Sequence, residues 1–399
     1  MSGRPTESPI VFNRPHVTGD EFGYMQEAIS NAHTAGSGPF SALCCDWLVE
    51  HTGCRRAFLT HSCTGALEMA FTLADIGPGD EVVMPSFTFV TTANAVVGRG
   101  GVPVFVDIRP DTLCVDESLI EAAISPRTRA VVPVHYAGVS CAMGLIGELA
   151  RTHDLLVIED AAQGVGATFD GSPLGAIGQL GAYSFHETKN VSCGEGGALL
   201  VTDARFVERA DVVHQKGTDR SRFLRGQVDK YTWVDAGSSY ALSELAAAYL
   251  WAQLQHEPEI RRRRLEIWNR YHEAFADLEA SERLRRPVVP AGRTHNAHLY
   301  YVLLEDLETR TELIEALGER GIHAVFHYVP LHTSVAGKRY ARQSGDLPVT
   351  ADVSDRLVRL PLWADLTESQ VDRVIAAVSD HLRPRTATAS ARQGTALDR

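Results

Sequence analysis

The sequence predicts an α/β fold in which a mostly parallel sheet is flanked by helices and followed by a smaller α+β region. Short apolar segments of strand length alternate with segments of helical periodicity through the first half of the chain. Strands that alternate with helices in this way pair in parallel through right-handed crossovers. The run LLVI at 155–158 contains no polar residue, which is typical of a strand buried on both faces.

Periodicity and turn residues predict the other elements and divide the chain into four regions. Helices are expected at 20–31, 41–51, 66–75, 91–97, 117–124, 143–152, 204–215, 239–253, 261–284, 310–319 and 368–382, the last starting with a capping box, Thr367 with Gln370. Strands are expected at 57–60, 81–84, 102–107, 130–135, 155–158, 198–201, 299–304 and 323–328. The regions are an N-terminal segment (1–15), a large domain (16–285), a small C-terminal domain (286–383) and a tail expected to be disordered (384–399).

The composition argues against several classes of protein. The 399 residues carry a formal net charge of −12, so a nucleic-acid partner is not expected. No run of about 18 apolar residues predicts a membrane span, and the N-terminus lacks the apolar core of a signal peptide. None of the seven cysteines forms a C-x-x-C pair, which argues against a metal site and against a disulfide framework. We therefore expect a cytoplasmic protein with reduced cysteines.

One lysine and one aspartate carry the strongest chemical signal. Asp160 follows the buried run at 155–158, at the carboxyl edge of the predicted sheet, where α/β proteins bind ligands. Lys189 lies in a polar loop between an apolar run at 182–185 and a glycine-lined turn at 194–197. A lysine that forms a Schiff base and an acid that pairs with the pyridine nitrogen are the two groups a pyridoxal 5'-phosphate (PLP) enzyme needs. The alternative for Lys189, a surface loop lysine, is disfavoured by this pairing.

A phosphate site and a ring-stacking residue are expected near the same edge. Cys63, Thr64 and Gly65 lead into a predicted helix, whose free N–H groups would face a phosphate; an ordinary helix cap is the alternative. Phe87 and Phe89 follow another strand, where one of them could stack on the pyridine ring, although position alone favours the core for both.

A basic loop is the third candidate binding element. The segment 216–233 has a local excess of positive charge in an acidic protein. Its basic residues are Lys216, Arg220, Arg222, Arg225 and Lys230. Two interpretations are open. The loop is either solvated or a clamp for a diphosphate, because the forked donors of arginine suit phosphate oxygens.

Several motifs together resemble one enzyme family. They are EDAAQ at 159–163, SFHETKN at 184–190, GEGGALL at 194–200, YVPLH at 328–332 and RLPLW at 359–363. In this order they resemble the DegT/StrS-type nucleotide-sugar aminotransferases over roughly residues 10–383, and most closely the branch that transaminates C4 of dTDP-4-keto-6-deoxyglucose. The resemblance implies a fold-type I PLP-dependent aminotransferase that works as a homodimer with shared active sites.

The resemblance also implies roles for individual residues. Lys189 would form the Schiff base and Asp160 would pair with the pyridinium. Gln163 would contact the ring and Phe89 would stack on it, while Cys63, Thr64 and Ser184 would hold the phosphate. Most of the family has asparagine where this chain has Ser239, and this asparagine reaches the phosphate of the partner's cofactor. Serine can also hydrogen-bond a phosphate, although its reach is shorter. A sugar pocket is expected to include His327, Tyr328 and His332, with the protein core as the alternative for this aromatic stretch.

The resemblance predicts transamination of a nucleotide-linked keto sugar with L-glutamate as the amino donor. Lys189 argues against the dehydratases of the family, which replace this lysine by histidine. Two alternatives stay open. One is another PLP enzyme, such as an amino-acid aminotransferase or a C3-specific sugar aminotransferase, and the other is a PLP-binding regulatory protein. The regulator should carry a basic DNA-binding module, and the sequence shows none.

Overall fold

The computed structural model describes residues 8–383, so the tail predicted at 384–399 lies outside the described residues. The strands are β1 Arg56–Thr60, β2 Glu81–Pro85, β3 Val102–Val106, β4 Thr128–Val131, β5 Leu156–Asp160, β6 Thr168–Phe169, β7 Ser172–Pro173, β8 Leu180–Ser184, β9 Gly197–Val201, β10 Arg293–Thr294, β11 Tyr300–Leu303, β12 Arg342–Gln343 and β13 Leu357–Leu360. The helices are α1 Glu21–Ser30, α2 Pro39–Thr52, α3 Cys63–Leu73, α4 Val90–Val97, α5 Ile120–Ala123, α6 Met143–Thr152, α7 Ala204–His214, α8 Arg220–Leu224, α9 Glu244–Gln255, α10 Glu257–Ala274, α11 Ala276–Ala280, α12 Leu307–Glu319, α13 Val335–Tyr340, α14 Pro348–Arg356 and α15 Glu368–Leu382.

One large sheet organises the fold. Its eight strands lie in the order β1-β9-β8-β5-β4-β2-β3-β12. Neighbours from β8 to β12 pair in parallel, whereas β9 runs antiparallel to both β1 and β8. The expected mostly parallel α/β sheet is confirmed, and the carboxyl ends of β2, β4, β5 and β8 therefore meet at one edge.

Both faces of this sheet are covered, and β9 shows how. Leu199 and Val201 pack with apolar residues of α3, α4 and α7. The alternate residues, Ala198 and Leu200, pack with α2 and α9 on the other face. Because side chains alternate between the two faces of a strand, a run with no polar residue can pack into a hydrophobic core on each face.

A second core lies in the C-terminal part of the chain. Strands β11 and β13 pair antiparallel, and their buried residues pack against α10, α12 and α15. The segment before α1 joins this core, because Ile10 is buried there and bridges Ile322. The predicted domain boundary at 285–286 stays a prediction.

Several predicted bounds are wrong for local reasons. The helix expected at 239–253 begins at Glu244, because Ser243 caps it and residues 239 and 241 bridge Gln215 and Thr60. The helix expected at 261–284 begins at Glu257, with a proline early in its first turn, and breaks after Ala274.

The strand expected at 323–328 is not formed. Only Val325 pairs, through one bridge to Arg359. Phe326 and Val329 are 50% and 61% exposed, and His327 lines a cavity. The aromatic run that suggested a strand thus supplies the wall of a pocket. No helix among residues 8–383 combines the length and the apolar character needed to span a membrane.

Candidate active site

A cavity of about 840 Å³ opens at the carboxyl edge of the large sheet. It collects residues from the ends of β2, β4, β5 and β8, from the loop between β8 and β9, and from β13. Nine of the predicted site residues line it: Cys63, Thr64, Phe89, Asp160, Gln163, Ser184, Lys189, His327 and Tyr328. Residues far apart in the sequence are therefore brought to one place, as expected for the ligand site of an α/β sheet.

Asp160 is fixed at the end of β5 by hydroxyl and amide donors. The Thr92 hydroxyl donates to its Oδ2 at 2.7 Å, and the backbone N–H of Ala162 donates to its Oδ1 at 3.2 Å. The Thr88 hydroxyl lies 2.9 Å from that of Thr92. The aspartate is 6% exposed and has no arginine or lysine ion-pair partner among residues 8–383, so its charge is available to a cationic ligand atom.

The neighbouring Glu159 has a structural task. It points to the other side of the strand, is fully buried, and accepts hydrogen bonds from the backbone N–H groups of Gly175, Ile177 and Gly178. Its Oε2 also lies 2.9 Å from His135 Nε2. Four donors on one carboxylate hold the turn before β8 against β5, and this fixes the strand that carries Asp160.

Gln163 and Tyr328 form a second fixed pair in the wall. The Gln163 side chain accepts from the backbone N–H of Ala137 at 2.7 Å and donates to the Tyr328 hydroxyl at 3.3 Å. Burial raises the pKa of Tyr328, so its hydroxyl stays protonated and can donate. Phe89 is 55% exposed at the cavity, where its ring is free to cover a ligand.

Lys189 lies in the loop that joins the antiparallel strands β8 and β9. Backbone bonds close the base of this loop, from the N–H of Phe185 to the carbonyl of Gly196 and from that of Cys193 to Phe185, both at 2.8 Å. The Lys189 ammonium makes no hydrogen bond or ion pair among residues 8–383. Burial lowers the pKa of Lys189, and the charges of Asp160 and Cys63 act in the opposite direction. The neutral amine, which is the nucleophile and base, is thereby favoured.

The end of the cavity near α3 has the features of an anion site. Helix α3 begins at Cys63, earlier than predicted, because the Ser62 hydroxyl accepts from the N–H of Gly65 and caps the helix. Ser184 closes the site from β8 and is buried. Gly197 passes so close to Ser62 and Cys63 that a side chain there would collide with their backbone, which explains this glycine of the turn. Gly65 lies in the first turn and does not line the cavity.

Several lining residues were not predicted, and four of them come from parts of the chain far from the large sheet. His298 and Arg359 come from the C-terminal part of the chain, and Phe12 and Asn13 come from the N-terminal segment. His298 Nδ1 lies 3.0 Å from Asn190 Oδ1, and Asn190 Nδ2 donates to a backbone carbonyl. His298 therefore donates from Nδ1 and presents a bare Nε2. The signal that could have found Arg359 was its place in the RLPLW motif.

The other predicted site residues do not line this cavity within one chain. Arg222, Arg225 and Lys230 are exposed on the 216–233 loop, where Arg225 lies 3.4 Å from Asp211 and Arg222 lies 4.0 Å from Glu208. Ser239 is exposed. His332 does not line the cavity and forms a hydrogen bond with Ser86, whose hydroxyl lies 2.8 Å from the His332 Nδ1.

The sheet, the lysine and the aspartate define a fold-type I PLP-dependent enzyme. The chain matches the DegT/DnrJ/EryC1/StrS aminotransferase family over residues 16–379 and belongs to it. The spore coat polysaccharide biosynthesis protein SpsC of Bacillus subtilis is 36% identical over 336 residues, which are 82% of this chain and 86% of SpsC. The aminotransferase TlmJ of Streptoalloteichus hindustanus superposes with a TM-score of 0.85 at 32% identity, over 94% of this chain and 98% of TlmJ. The PLP form of the putative sugar aminotransferase Spr1654 of Streptococcus pneumoniae superposes with a TM-score of 0.86 at 25% identity, over 94% and 98% of the two chains. The protein is thus a PLP-dependent aminotransferase, a transferase of nitrogenous groups.

The residues present fit PLP. Lys189 supplies an unpartnered amine in the cavity wall, and Asp160 supplies a buried carboxylate for a protonated ring nitrogen. The capped start of α3 and Ser184 supply N–H and hydroxyl donors for a phosphate. An amine, a carboxylate and an anion site in one cavity match the aldehyde, the ring nitrogen and the phosphate of this cofactor.

Proposed function

We propose that the protein transfers the amino group of L-glutamate to C4 of a nucleotide-linked keto sugar, dTDP-4-keto-6-deoxy-D-glucose. The products are 2-oxoglutarate and a dTDP-4-amino-4,6-dideoxyhexose of galactose or glucose configuration. The observation that carries this proposal is the juxtaposition of Lys189 and Asp160 in a cavity that also has room for a sugar. The names of SpsC and Spr1654 support a sugar as the acceptor.

When bound, PLP supplies an electron sink that stabilises negative charge at a carbon next to nitrogen. Asp160 maintains the proton on the ring nitrogen, because a carboxylate at the end of β5 favours the charged form. The Lys189 amine removes the proton from the donor's α carbon, and in the second half-reaction it delivers a proton to C4 of the sugar. Burial lowers the pKa of Lys189, which favours the neutral amine that the first of these steps needs.

The sugar is proposed to lie against the wall formed by His327 and Tyr328. His327 Nδ1 is 3.1 Å from the Tyr136 hydroxyl, and burial lowers the pKa of His327, so the ring is neutral. A neutral histidine and a protonated tyrosine offer the hydrogen bonds that sugar hydroxyls need without binding phosphate. For His332 we propose a supporting role through Ser86.

The proposed assembly is a homodimer in which one subunit's 216–233 loop and Ser239 reach the partner's site. In this arrangement Arg222, Arg225 and Lys230 would bind the nucleotide diphosphate. Their exposure, together with an exposed Trp233 (78%), supports a role outside their own cavity. Helix α9, which is rich in alanine, is not part of this argument, because it packs against α1 and α2 of its own chain.

The test is product analysis with the PLP-loaded protein. Incubation with dTDP-4-keto-6-deoxyglucose and L-glutamate should yield an aminated sugar nucleotide and an equal amount of 2-oxoglutarate, and NMR of the product should place nitrogen at C4. Amination only of a 3-keto isomer would favour the C3-specific alternative. Conversion of the cofactor by glutamate without any sugar product would show that the acceptor belongs to another class.

A further inference from the structure

Asn190, which follows Lys189 directly, ties the lysine loop to the C-terminal part of the chain. Its Nδ2 donates to the carbonyl of Asn296 at 2.8 Å, and its Oδ1 lies 3.0 Å from the His298 Nδ1. These contacts reach 106 and 108 residues along the sequence, whereas the backbone bonds at the base of the loop join its own residues to one another. Asn190 is 9% exposed, and a buried hydrogen bond is stronger than one in water. The amide of Asn190 thus anchors the loop beside the lysine itself.

Asn296 extends this connection to the loop that follows β5. Its side-chain Nδ2 donates to the carbonyls of Gln163 and Val165 at 2.7 and 2.8 Å. Gly138 passes so close to the Asn296 Oδ1 that a side chain at Gly138 would collide with the amide. Asp160 ends β5 directly before this loop. One residue therefore holds the loop after the carboxylate through its side chain and the loop of the lysine through its backbone carbonyl.

A buried arginine of α10 holds the 296–298 segment in place. Arg264 is 3% exposed, and its Nε and Nη2 donate to the carbonyls of Ala297 and His298 at 3.1 and 2.6 Å. Ala297 has a φ of 50°, in the left-handed region that few non-glycine residues adopt, and it is fully buried. Arg264 does not line the cavity, so it serves the segment rather than a ligand. The 296–298 segment is thus a fixed support between the two loops.

The two ring nitrogens of His298 have different surroundings. Nδ1 carries the proton and donates to Asn190, because the Nδ2 of Asn190 already donates to Asn296 and its oxygen faces the ring. Burial lowers the pKa of His298, and the positive charge of Lys189 acts in the same direction, so the neutral ring is favoured at pH 7. Nε2 has no hydrogen-bond partner among residues 8–383, and the residue lines the cavity. His298 can therefore act on the lysine loop through Nδ1 or on a ligand through Nε2.

We propose that Asn190 and His298 are positioning residues that keep the Lys189 amine in place while it is not attached to the cofactor. This inference rests on the proposed function, because the role given to Lys189 requires the lysine to be released and to carry a proton between two atoms. A displacement of about 1 Å in such a group lowers a rate by about 100-fold. Two hydrogen bonds at the next residue restrict the backbone of the lysine, and Asn296 fixes that backbone relative to the loop after Asp160.

Two forms of the cofactor allow the position of the amine to be measured without turnover. Lys189 attaches to the aldehyde of PLP with release of water, whereas pyridoxamine phosphate has no aldehyde and binds without attachment. The full chain, freed of cofactor, is titrated with each form, and protein fluorescence gives the two dissociation constants. The wild type should bind PLP more tightly than pyridoxamine phosphate. Asn190→Leu, which has a similar volume and makes no hydrogen bond, should lower this preference about 10-fold while changing the affinity for pyridoxamine phosphate less than about 3-fold.

His298 offers two substitutions that each retain one nitrogen. The amide nitrogen of asparagine can take the place of Nδ1, and that of glutamine can take the place of Nε2. His298→Asn should therefore retain the preference for PLP within about 3-fold, whereas His298→Gln should lose it as Asn190→Leu does. The glutamate half-reaction, followed by cofactor absorbance, gives a second readout. Its limiting rate should fall about 10- to 100-fold in His298→Gln, and the half-saturating concentration of glutamate should change less than about 3-fold.

Asn269→Leu, at an exposed asparagine of α10, is the matched control and should leave both measurements unchanged. The proposal is overturned if Asn190→Leu loses affinity for both cofactor forms equally, because that result would indicate a purely structural role. It is also overturned if His298→Gln retains the preference and His298→Asn loses it, which would assign the ring to a ligand through Nε2.

Lys189→Ala separates this inference from the role of the lysine, because it should bind PLP no more tightly than pyridoxamine phosphate. If the wild type shows no greater preference than Lys189→Ala, the role of Lys189 is wrong and the proposal falls with it. If the wild type does show the preference and Asn190→Leu keeps it in full, only the positioning role is overturned. Should Asn190→Leu not fold, an equal preference in the two His298 variants would overturn the proposal.

Discussion

The environment of Lys189 separates it from the other lysines of the chain. Its amine faces a cavity, has no ion-pair partner among residues 8–383, and has a pKa lowered by burial. Lys338 is exposed at the surface on α13. The same functional group is thus exposed to solvent at Lys338 and buried beside a cavity at Lys189.

Replacing Lys189 by alanine should lower the turnover rate by about 10³-fold or more, because the residue that attaches the cofactor and carries the proton is lost. Added pyridoxamine phosphate should still bind, which fluorescence titration would show. Lys338→Ala is the control and should retain full activity. Normal turnover in Lys189→Ala would rule out the assigned role.

Asp160 contributes charge rather than shape. In Asp160→Asn the amide oxygen can still accept from the Thr92 hydroxyl, so the fold and the cofactor content should be retained. Activity should fall roughly 100-fold, because an unprotonated ring nitrogen is a poorer electron sink. The absorbance of the bound cofactor and the rate are measured on the same preparation. A variant with wild-type rate would show that the carboxylate charge is not used.

At the scale of elements, the 216–233 loop is proposed to bind phosphate. If it does, Arg222→Gln or Arg225→Gln should raise the concentration of sugar nucleotide needed for half-maximal rate about 10- to 100-fold, the equivalent of one lost charge-assisted contact. The glutamate half-reaction should change little. Arg205→Gln, an exposed arginine paired with Asp203, is the control. Equal damage to both half-reactions would indicate a distorted loop instead.

A buried carboxylate connects the amino end of the sheet to the C-terminal part of the chain. Glu81, at the start of β2, is 1% exposed and accepts hydrogen bonds from Arg342, Ser125 and Arg127. The Arg342 guanidinium is the main cause of a pKa lowered to about 2. A lowered folded-state pKa stabilises the protein above the unfolded value of 4.5, and this contribution is lost as the pH falls toward 2.

Glu81→Gln should therefore lower the free energy of unfolding at pH 7 by up to about 3 kcal/mol. The difference from the wild type should shrink between pH 4.5 and 2, as the wild type loses the same contribution. Thermal midpoints at pH 7, 4 and 2.5 would measure this. Glu315→Gln, at an exposed glutamate of α12, should show no such dependence. A constant difference at all three pH values would contradict the assignment.

The sequence predicted those elements whose signals are local. The capping box placed the start of α15 correctly, because Thr367 and Gln370 satisfy each other's backbone donors. The strand predicted at 323–328 was wrong, because the periodicity of its apolar and aromatic residues does not distinguish a strand from a pocket wall. For the site, Lys189 and Asp160 were predictable from motifs. The role of His298 was not predictable, because the tautomer of its ring depends on a hydrogen bond with Asn190, which lies 108 residues away in the sequence.

At the scale of the whole molecule, active sites shared between two subunits predict that two inactive variants can restore each other's activity. Lys189→Ala and Ser239→Trp should each be inactive, because one lacks the catalytic amine and the other blocks the partner's cofactor site. Co-expression should restore activity, since one site of each mixed dimer then carries neither change. Ser239 is exposed, so tryptophan there should not disturb the fold of its own chain. Mixed dimers that form and stay inactive, or a fully active dilute monomer, would show that one chain builds the site alone.

Phe12 lies under the guanidinium of Arg359, and Ile10, two residues earlier, is anchored in the C-terminal core. The N-terminal segment and β13 therefore meet in the wall of the cavity, although neither of them carries the reactive lysine. A ribosome completes Asp160, Lys189 and strands β1 to β9 well before it reaches Arg359. The wall of the cavity is therefore complete only when the C-terminal part of the chain has been translated and has packed against the N-terminal segment.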